Sequence, residues 1–181
     1  LRSPASLRFE ALTSFGVPVV LVAGDAQSVT LWEVLDNRAV ILPASPDSTR
    51  RWLGLALGSE DLVAILSGRI RPIKNPWSVD LLPSDLLGPS LKLANADGEQ
   101  RIWLDPETGQ ARQVEWTGGK NPARVTYDNT PPDAPPSGLT LATLDGKLEV
   151  VVRYRDPAMN TGFDPTLLSL TVPKDVRIQD F

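Results

Sequence analysis

The sequence predicts a mainly β (α+β) fold: a large curved antiparallel sheet or open barrel, with one short helical insertion as a cover. Three observations lead there. Apolar residues recur with period two almost throughout, turn residues separate the runs at hairpin spacing, and the period changes only between Pro46 and Gly68. With 181 residues the chain fits one domain, 1–181. A chain of this length buries roughly 70% of the surface its unfolded form exposes, so a sizeable core, or a core plus a pocket, is available.

The elements follow in order. Leu7, Phe9 and Ala11 alternate with Ser6, Arg8 and Glu10, which is a strand with one wet face. A hairpin tip follows at Ser14-Phe15-Gly16-Val17-Pro18. Val17 to Ala23 and Val29 to Leu35 are apolar at nearly every position, so these strands are expected to be covered on both sides or to face a cavity. Ala39 to Leu42 continues the sheet. Ser45-Pro46-Asp47-Ser48 then starts a helix, with Ser45 as N-cap and Pro46 at the first helical position, and Gly54 or Gly58 stops it. Ser59-Glu60-Asp61 opens a second helix whose Leu62, Val63, Ile65 and Leu66 form one stripe before Gly68. Both are too short to be stable without a surface to lie on.

The proline-punctuated stretch from Asn75 to Pro89 carries no assignable period. Hairpins resume around Ala96-Asp97-Gly98, Asp105 to Gly109 and Gly118 to Asn121, with strands near Gln100 to Leu104, Ala111 to Trp116 and Arg124 to Tyr127. Asn129 to Ser137 reads as a loop or stiff connector. Thr140 to Thr143, Lys147 to Tyr154, Leu167 to Val172 and a short Val176 to Ile178 complete about ten strands.

Composition removes whole function classes. The chain has no His and no Cys, which excludes imidazole bases, thiolate nucleophiles and the usual N/S zinc sites, and no cofactor motif is present. Net charge is -4, pI is about 4.9, and the basic residues are scattered, so nucleic acid is not an expected partner. No apolar run reaches the roughly 20 residues of a membrane-spanning helix. The opening Leu1-Arg2-Ser3-Pro4 reads as the middle of a longer precursor.

Several segments together resemble a known family. They are Leu7-Arg8-Phe9-Glu10, the Ser14-Phe15-Gly16 tip, Ser59 to Val63 leading to Leu66-Ser67-Gly68-Arg69-Ile70, Ile102-Trp103-Leu104-Asp105 with Gly109, and Val172-Pro173 with Val176. The chain is similar to the LolA/LolB-like lipoprotein-carrier superfamily, and in particular to its receptor-like outer-membrane lipoproteins of Gram-negative bacteria. The resemblance implies an open half-barrel whose concave face holds acyl chains of lipid or lipoprotein under the helical lid, 46–68. It also implies that the hairpin occupied by Phe15 touches the outer-membrane surface, and that a periplasmic carrier protein is a possible partner. The family's N-terminal helix and first strand are not visible here. A lipid-modified N-terminal anchor on the periplasmic side of the outer membrane would belong to that missing part.

These implications give a candidate site. Phe9, Leu31, Trp52, Leu53, Leu62, Ile65, Leu66 and Trp103 are the cavity and lid residues, and Phe15 and Val17 the membrane contacts. Each methylene moved from water into an apolar concavity is worth roughly 0.8 kcal/mol, so a sixteen-carbon chain has an upper bound of about 12 kcal/mol before ordering costs. A buried aromatic at the tip contributes roughly 1.5 to 3 kcal/mol, which suits reversible docking. Plainer readings stand beside these. Trp52, Leu62 and Leu66 also fit as helix-to-sheet core contacts, Trp32, Trp77, Trp103 and Trp116 as volume fillers, and Phe15 as folded back on its own hairpin. Arg50, Arg51, Arg69, Arg71 and Lys74 read first as a solvated face, with an anionic headgroup site as the alternative.

Three functions of different classes remain. The first is periplasm-facing, non-catalytic binding of acyl chains for carriage or insertion at the outer membrane. The second is an envelope structural or assembly module with a filled concavity. The third is a carboxylate-dependent glycan hydrolase using Asp105 and Glu107 or Asp97 and Glu99, pairs that turn chemistry explains as well. Asp25, Asp97 and Asp133 lack the density of a calcium loop, and no metal site is expected.

Overall fold

The computed structural model describes residues 1–118, 122–129, 131, 134–158, 162 and 164–180, and at Trp52, Leu53 and Asp180 the backbone alone. In chain order the elements are β1 (Leu7–Leu12), β2 (Pro18–Gly24), β3 (Ser28–Glu33), β4 (Arg38–Pro43), α1 (Pro46–Leu53), α2 (Ser59–Leu66), β5 (Ser78–Asp85), β6 (Gly88–Asn95), β7 (Gly98–Leu104), β8 (Ala111–Thr117), β9 (Ala123–Asp128), β10 (Gly138–Thr143), β11 (Glu149–Arg153) and β12 (Arg177–Asp180). One turn of 3-10 helix, Pro165–Leu168, precedes β12. The fold is mainly β as expected, and the strands divide between two sheets. One compact unit comprises Leu1–Val63 with Gly162–Phe181, the other Ala64–Thr161.

The first unit holds a five-stranded sheet in the order β1-β2-β3-β4-β12, antiparallel except for the parallel pair β12–β4. Register puts Leu7, Gly24, Val29 and Leu42 in one row and Phe9, Val22, Leu31 and Val40 in the next, on the same face. Val22 and Val29 have almost no exposure. Arg8, on the other face, donates to the carbonyls of Leu167 and Ser169 and so fastens the returning C-terminal segment to β1.

Helix α1 forms for the local reasons its sequence gives. Ser45 Oγ accepts from Ser48 N, Pro46 occupies the first turn, and Gly54 closes the helix at φ +76° with its amide on Arg50 O. Thr49 is fully buried and its hydroxyl reaches Leu57 O, fixing the connection toward α2.

The second unit is a seven-stranded antiparallel meander, β11-β10-β9-β8-β7-β6-β5. Its two faces differ sharply. One row across the sheet reads Leu81, Leu91, Ile102, Val114, Val125, Leu141 and Val150, and the rows beside it carry Val79, Leu93, Gln100, Tyr127 and Leu139. The opposite face carries Lys92, Arg101, Glu115, Arg124, Thr126 and Thr140. Polar against apolar alternation therefore sets the register of β6, β9 and β10.

A strap crosses the apolar face. After Gly68, whose φ of +71° turns the chain and whose added Cβ would sit 2.6 Å from Pro136, residues 66–74 run diagonally from β11 toward β6. Four side chains of that face hold its backbone. Tyr154 Oη donates to Leu66 O at 2.6 Å, Tyr127 Oη to Arg69 O at 3.3 Å, and Asn95 Nδ2 to Lys74 O at 2.9 Å. Gln100 does two jobs, donating to Arg71 O and accepting from Ile73 N, both at 3.0 Å. Burial pushes the Tyr154 hydroxyl pKa up to about 12 and raises that of Tyr127 further, so both stay neutral donors.

Two readings of the sequence are corrected. Leu167 to Val172 is not a strand: Asp164 caps Thr166 N, Pro165 begins the 3-10 turn, and the residues after it run without a ladder partner. Leu168, Leu170 and Val172 are nonetheless half-buried while Leu167, Ser169 and Thr171 are exposed, which is the source of the strand-like period. Asn75 to Pro89, which carried no assignable period, contains all of β5 and the start of β6. Pro83 is tolerated because β5 is an edge strand whose register shifts between Leu82 and Asp85.

Replacing Gln100 by Leu keeps the volume but strands two backbone groups of the strap. Unfolding free energy is expected to fall by about 2 kcal/mol or more. Amide exchange at Ile73 is expected to accelerate ahead of the sheet amides, and unchanged protection there would show that Gln100 does not hold the strap.

Candidate functional site

On the seven-stranded sheet the apolar face is covered in its middle and bare at one edge. Val114 and Val125 have no exposure, and Leu93, Ile102, Leu139 and Leu141 are buried. On the same face, edge strand β5 leaves Val79 58% and Leu81 75% exposed, with half-buried Leu91 beside Leu81. Trp77, one residue ahead of the strand, is 71% exposed. A bare apolar strip continuous with a core face is the feature on this sheet that calls for a ligand or partner.

The hairpin that carries this strip ends in a two-residue turn, Leu86-Leu87, closed by the pair Asp85 and Gly88. Asp85 organises it. Its carboxylate accepts from Leu87 N at 2.9 Å, from Trp103 Nε1 at 2.9 and 3.1 Å, and from Arg101 Nη2 at 2.6 Å. The Trp103 indole N–H first, then the Leu87 amide and the Arg101 charge, hold the Asp85 carboxyl pKa below its ordinary value. Arg112 donates to Leu87 O and to Asp105. Arg101 also stacks over Trp103, 4.1 Å from the ring centre.

The sequence-derived candidates are distributed as follows. Phe9 and Leu31 do share one face of the five-stranded sheet, Phe9 being 42% exposed and Leu31 half-buried. Leu62 and Ile65 are buried and Leu66 is half-buried, its carbonyl held by Tyr154. The side chains of Trp52 and Leu53 lie outside the described residues. Trp103 is on the polar face of the seven-stranded sheet, opposite Ile102, where it anchors Asp85. Neighbouring residues on a strand point to opposite faces, and Trp103 is one step out of phase with the apolar row.

Phe15 is 92% exposed and Val17 51%, so the β1–β2 tip does not fold back on itself. The turn is held by Thr13, whose amide donates to Val17 O and whose side chain accepts from Val17 N, with Gly16 at φ +80°. Two concavities lie in the first unit, both open. One of about 520 Å³ is lined by Asp36, Arg38, Arg177 and Gln179. The other, about 310 Å³, lies among Ser6, Ala23, Asp25, Thr30, Leu168 and Leu170. Neither is an enclosed apolar cavity.

The carboxylates serve turns. Asp105 accepts from Glu107 N, Thr108 N and Arg112, which lowers its pKa, and Asp25 does the same for Ser28 and Gln27. Asp133 lies outside the described residues. Arg50 pairs with Asp47 within α1. Among the described residues no cluster of acidic side chains converges as a metal site, and no helix is long and apolar enough to cross a membrane.

The sequence matches no protein-family model and no curated protein sequence. The structure is similar to a solved one, a domain from Vibrio parahaemolyticus provisionally described as an outer membrane lipoprotein-sorting protein. The likeness covers 93% of this chain and 77% of that one, with a TM-score of 0.50 and 10% sequence identity. At that identity it is the fold that the two share, a mainly β fold with few, short helices.

The Asp85 cluster makes a pH prediction. A carboxyl whose folded pKa is depressed contributes stability that is complete above its unfolded pKa and is lost as pH falls through the folded one. Carbon-13 NMR titration should give Asp85 a midpoint below 3.8. Trp103→Phe should raise that midpoint, and an unmoved midpoint would remove the indole as its main cause.

Proposed function

We propose that this chain binds the acyl chain of a lipid or lipoprotein, without catalysis, on the bare edge of the apolar face formed by β5 and β6. The observation that carries the reading is the exposure of Val79 and Leu81 on the face whose centre is core. Two such side chains beside Leu91 offer a linear apolar strip, and each methylene laid on it would gain up to roughly 0.8 kcal/mol. The fold-level likeness supports the same direction, since the Vibrio parahaemolyticus domain is described as sorting outer membrane lipoproteins. In this reading the protein works in the bacterial envelope, on the periplasmic side of the outer membrane. A periplasmic carrier is the expected source of cargo. Phe15 and Val17, exposed on a turn pinned by Thr13, are the parts that touch the membrane.

A second reading, an envelope assembly module that keeps the fold without carrying lipid, is favoured by one observation. The strap already fills the centre of the apolar face and is tied down at four points. The two readings separate on acyl binding, because a filled face holds none.

Leu81→Glu is expected to weaken binding of a fluorescent fatty acid about tenfold or more while leaving the thermal midpoint unchanged, since the side chain is exposed. Native mass spectrometry of the unmodified protein with acylated peptide is the direct check; no retained acyl species would exclude carriage and leave the assembly reading. For the tip, Phe15→Glu is expected to weaken association with liposomes about tenfold with little change in stability. A large loss of stability instead would identify Phe15 as a packing residue.

A further inference from the structure

We propose that the Leu86-Leu87 turn is a lipid-contacting tip in its own right, one that enters the apolar zone of a phospholipid surface. Leu86 is 104% exposed and Leu87 37%. A leucine this bare at the end of a floppy loop would mean little. Here the turn is built to keep it bare: Asp85 takes the Leu87 amide, Trp103 and Arg101 hold Asp85, and Arg112 takes the Leu87 carbonyl. The amide and the carbonyl of Leu87 are both engaged, which holds the turn in place and keeps the leucines presented.

Size decides the class of partner. Two leucines expose on the order of 250 Å², far below the roughly 800 Å² per partner of a standard protein interface. A bilayer needs no matching shape, and a rigid apolar tip with polar groups behind it can enter one by a few ångströms. Charge decides the lipid. The cations behind the tip are balanced, Arg101 by Asp85 and Arg112 by Asp105. Apolar transfer therefore drives the contact, and it is expected on zwitterionic as well as anionic surfaces, with little dependence on salt. The inference shares with the reading above its partner, a lipid surface, and concerns a turn that the acyl-binding strip does not include.

Because the chain has no cysteine, a single one reports the tip directly. Leu86→Cys, labelled with an environment-sensitive fluorophore, is mixed with phosphatidylcholine vesicles made with and without phosphatidylglycerol. A blue shift and a several-fold rise in emission are expected with both. The same label on Asp97→Cys, in the exposed β6–β7 turn at the other end of the sheet, is expected to stay unchanged. Unlabelled Leu86→Ser should lose about tenfold in vesicle affinity while keeping its fatty-acid binding and its thermal midpoint. If vesicles bind the protein and the label at 86 does not respond, the inference is overturned and the Phe15 contact stands. A response that follows protein concentration and not lipid would overturn it in favour of self-association, and absence of binding to either vesicle would overturn both tips.

Discussion

The covering of the seven-stranded sheet turns on one fully buried amide side chain. Gln100 stands in the middle of an apolar face, where an unpaired amide would cost more than most single contacts return. Its two partners come from the same passing segment, Arg71 O and Ile73 N, so the strap must lie where it does or leave three polar groups unsatisfied. Tyr127 and Tyr154 repeat the logic toward β11, and Asn95 does so toward β6. The strap is in effect an irregular strand laid on the sheet's face and paired through side chains. That arrangement divides the face into a sealed centre and the open strip at β5.

The β5–β6 hairpin gathers the consequences. As an edge strand β5 has neighbours on one side only, so Val79 and Leu81 lack the flanking strand that buries their counterparts on β7 and β8. Long edge strands with bare apolar faces invite association, and proteins usually blunt them with prolines, charges or bulges. Pro83, Asp80 and the register shift before Asp85 supply all three. The edge is therefore protected against strand addition while the face beside it remains apolar. Protection of the backbone edge together with exposure of the side-chain face suits the acyl ligand proposed above, which has no hydrogen-bonding backbone.

Much of this was legible in the residues, for identifiable reasons. β1 to β4 and α1 were readable because their signals are local: Ser45-Pro46 at a helix start, Gly54 at its end, Asp25 and Asn37 in turns. The exposed tip at Phe15 was readable as a tip, though not as exposed. Three features were hidden. Pro76, Pro83 and Pro89 masked β5 and the start of β6, because a proline argues against the middle of a central strand and says nothing against an edge strand or the first residues of a strand. The Asp164-Pro165 cap and first turn were present in the sequence but were outweighed by the alternation of Leu168, Leu170 and Val172. The strap was out of reach, since Gln100 and its partners stand 27 and 29 residues apart and nothing local distinguishes a glutamine that binds water from one that binds a distant backbone.

Trp103 shows how a misplaced residue can still lead to the site. Its size and apolarity suggested a cavity wall, and one step of strand phase put it on the other face instead. There its indole N–H, the group a cavity wall would not need, becomes the strongest influence on Asp85. Asp85 in turn fixes the turn at Leu86-Leu87, which no pattern in the sequence had marked. The tryptophan thus acts on the surface through a carboxylate and a backbone amide, not by touching a ligand. Aromatic residues with a polar handle are suited to this role, because the ring supplies buried area while the N–H supplies direction. A phenylalanine at the same place would fill the volume and leave the Asp85 carboxylate without its indole donor.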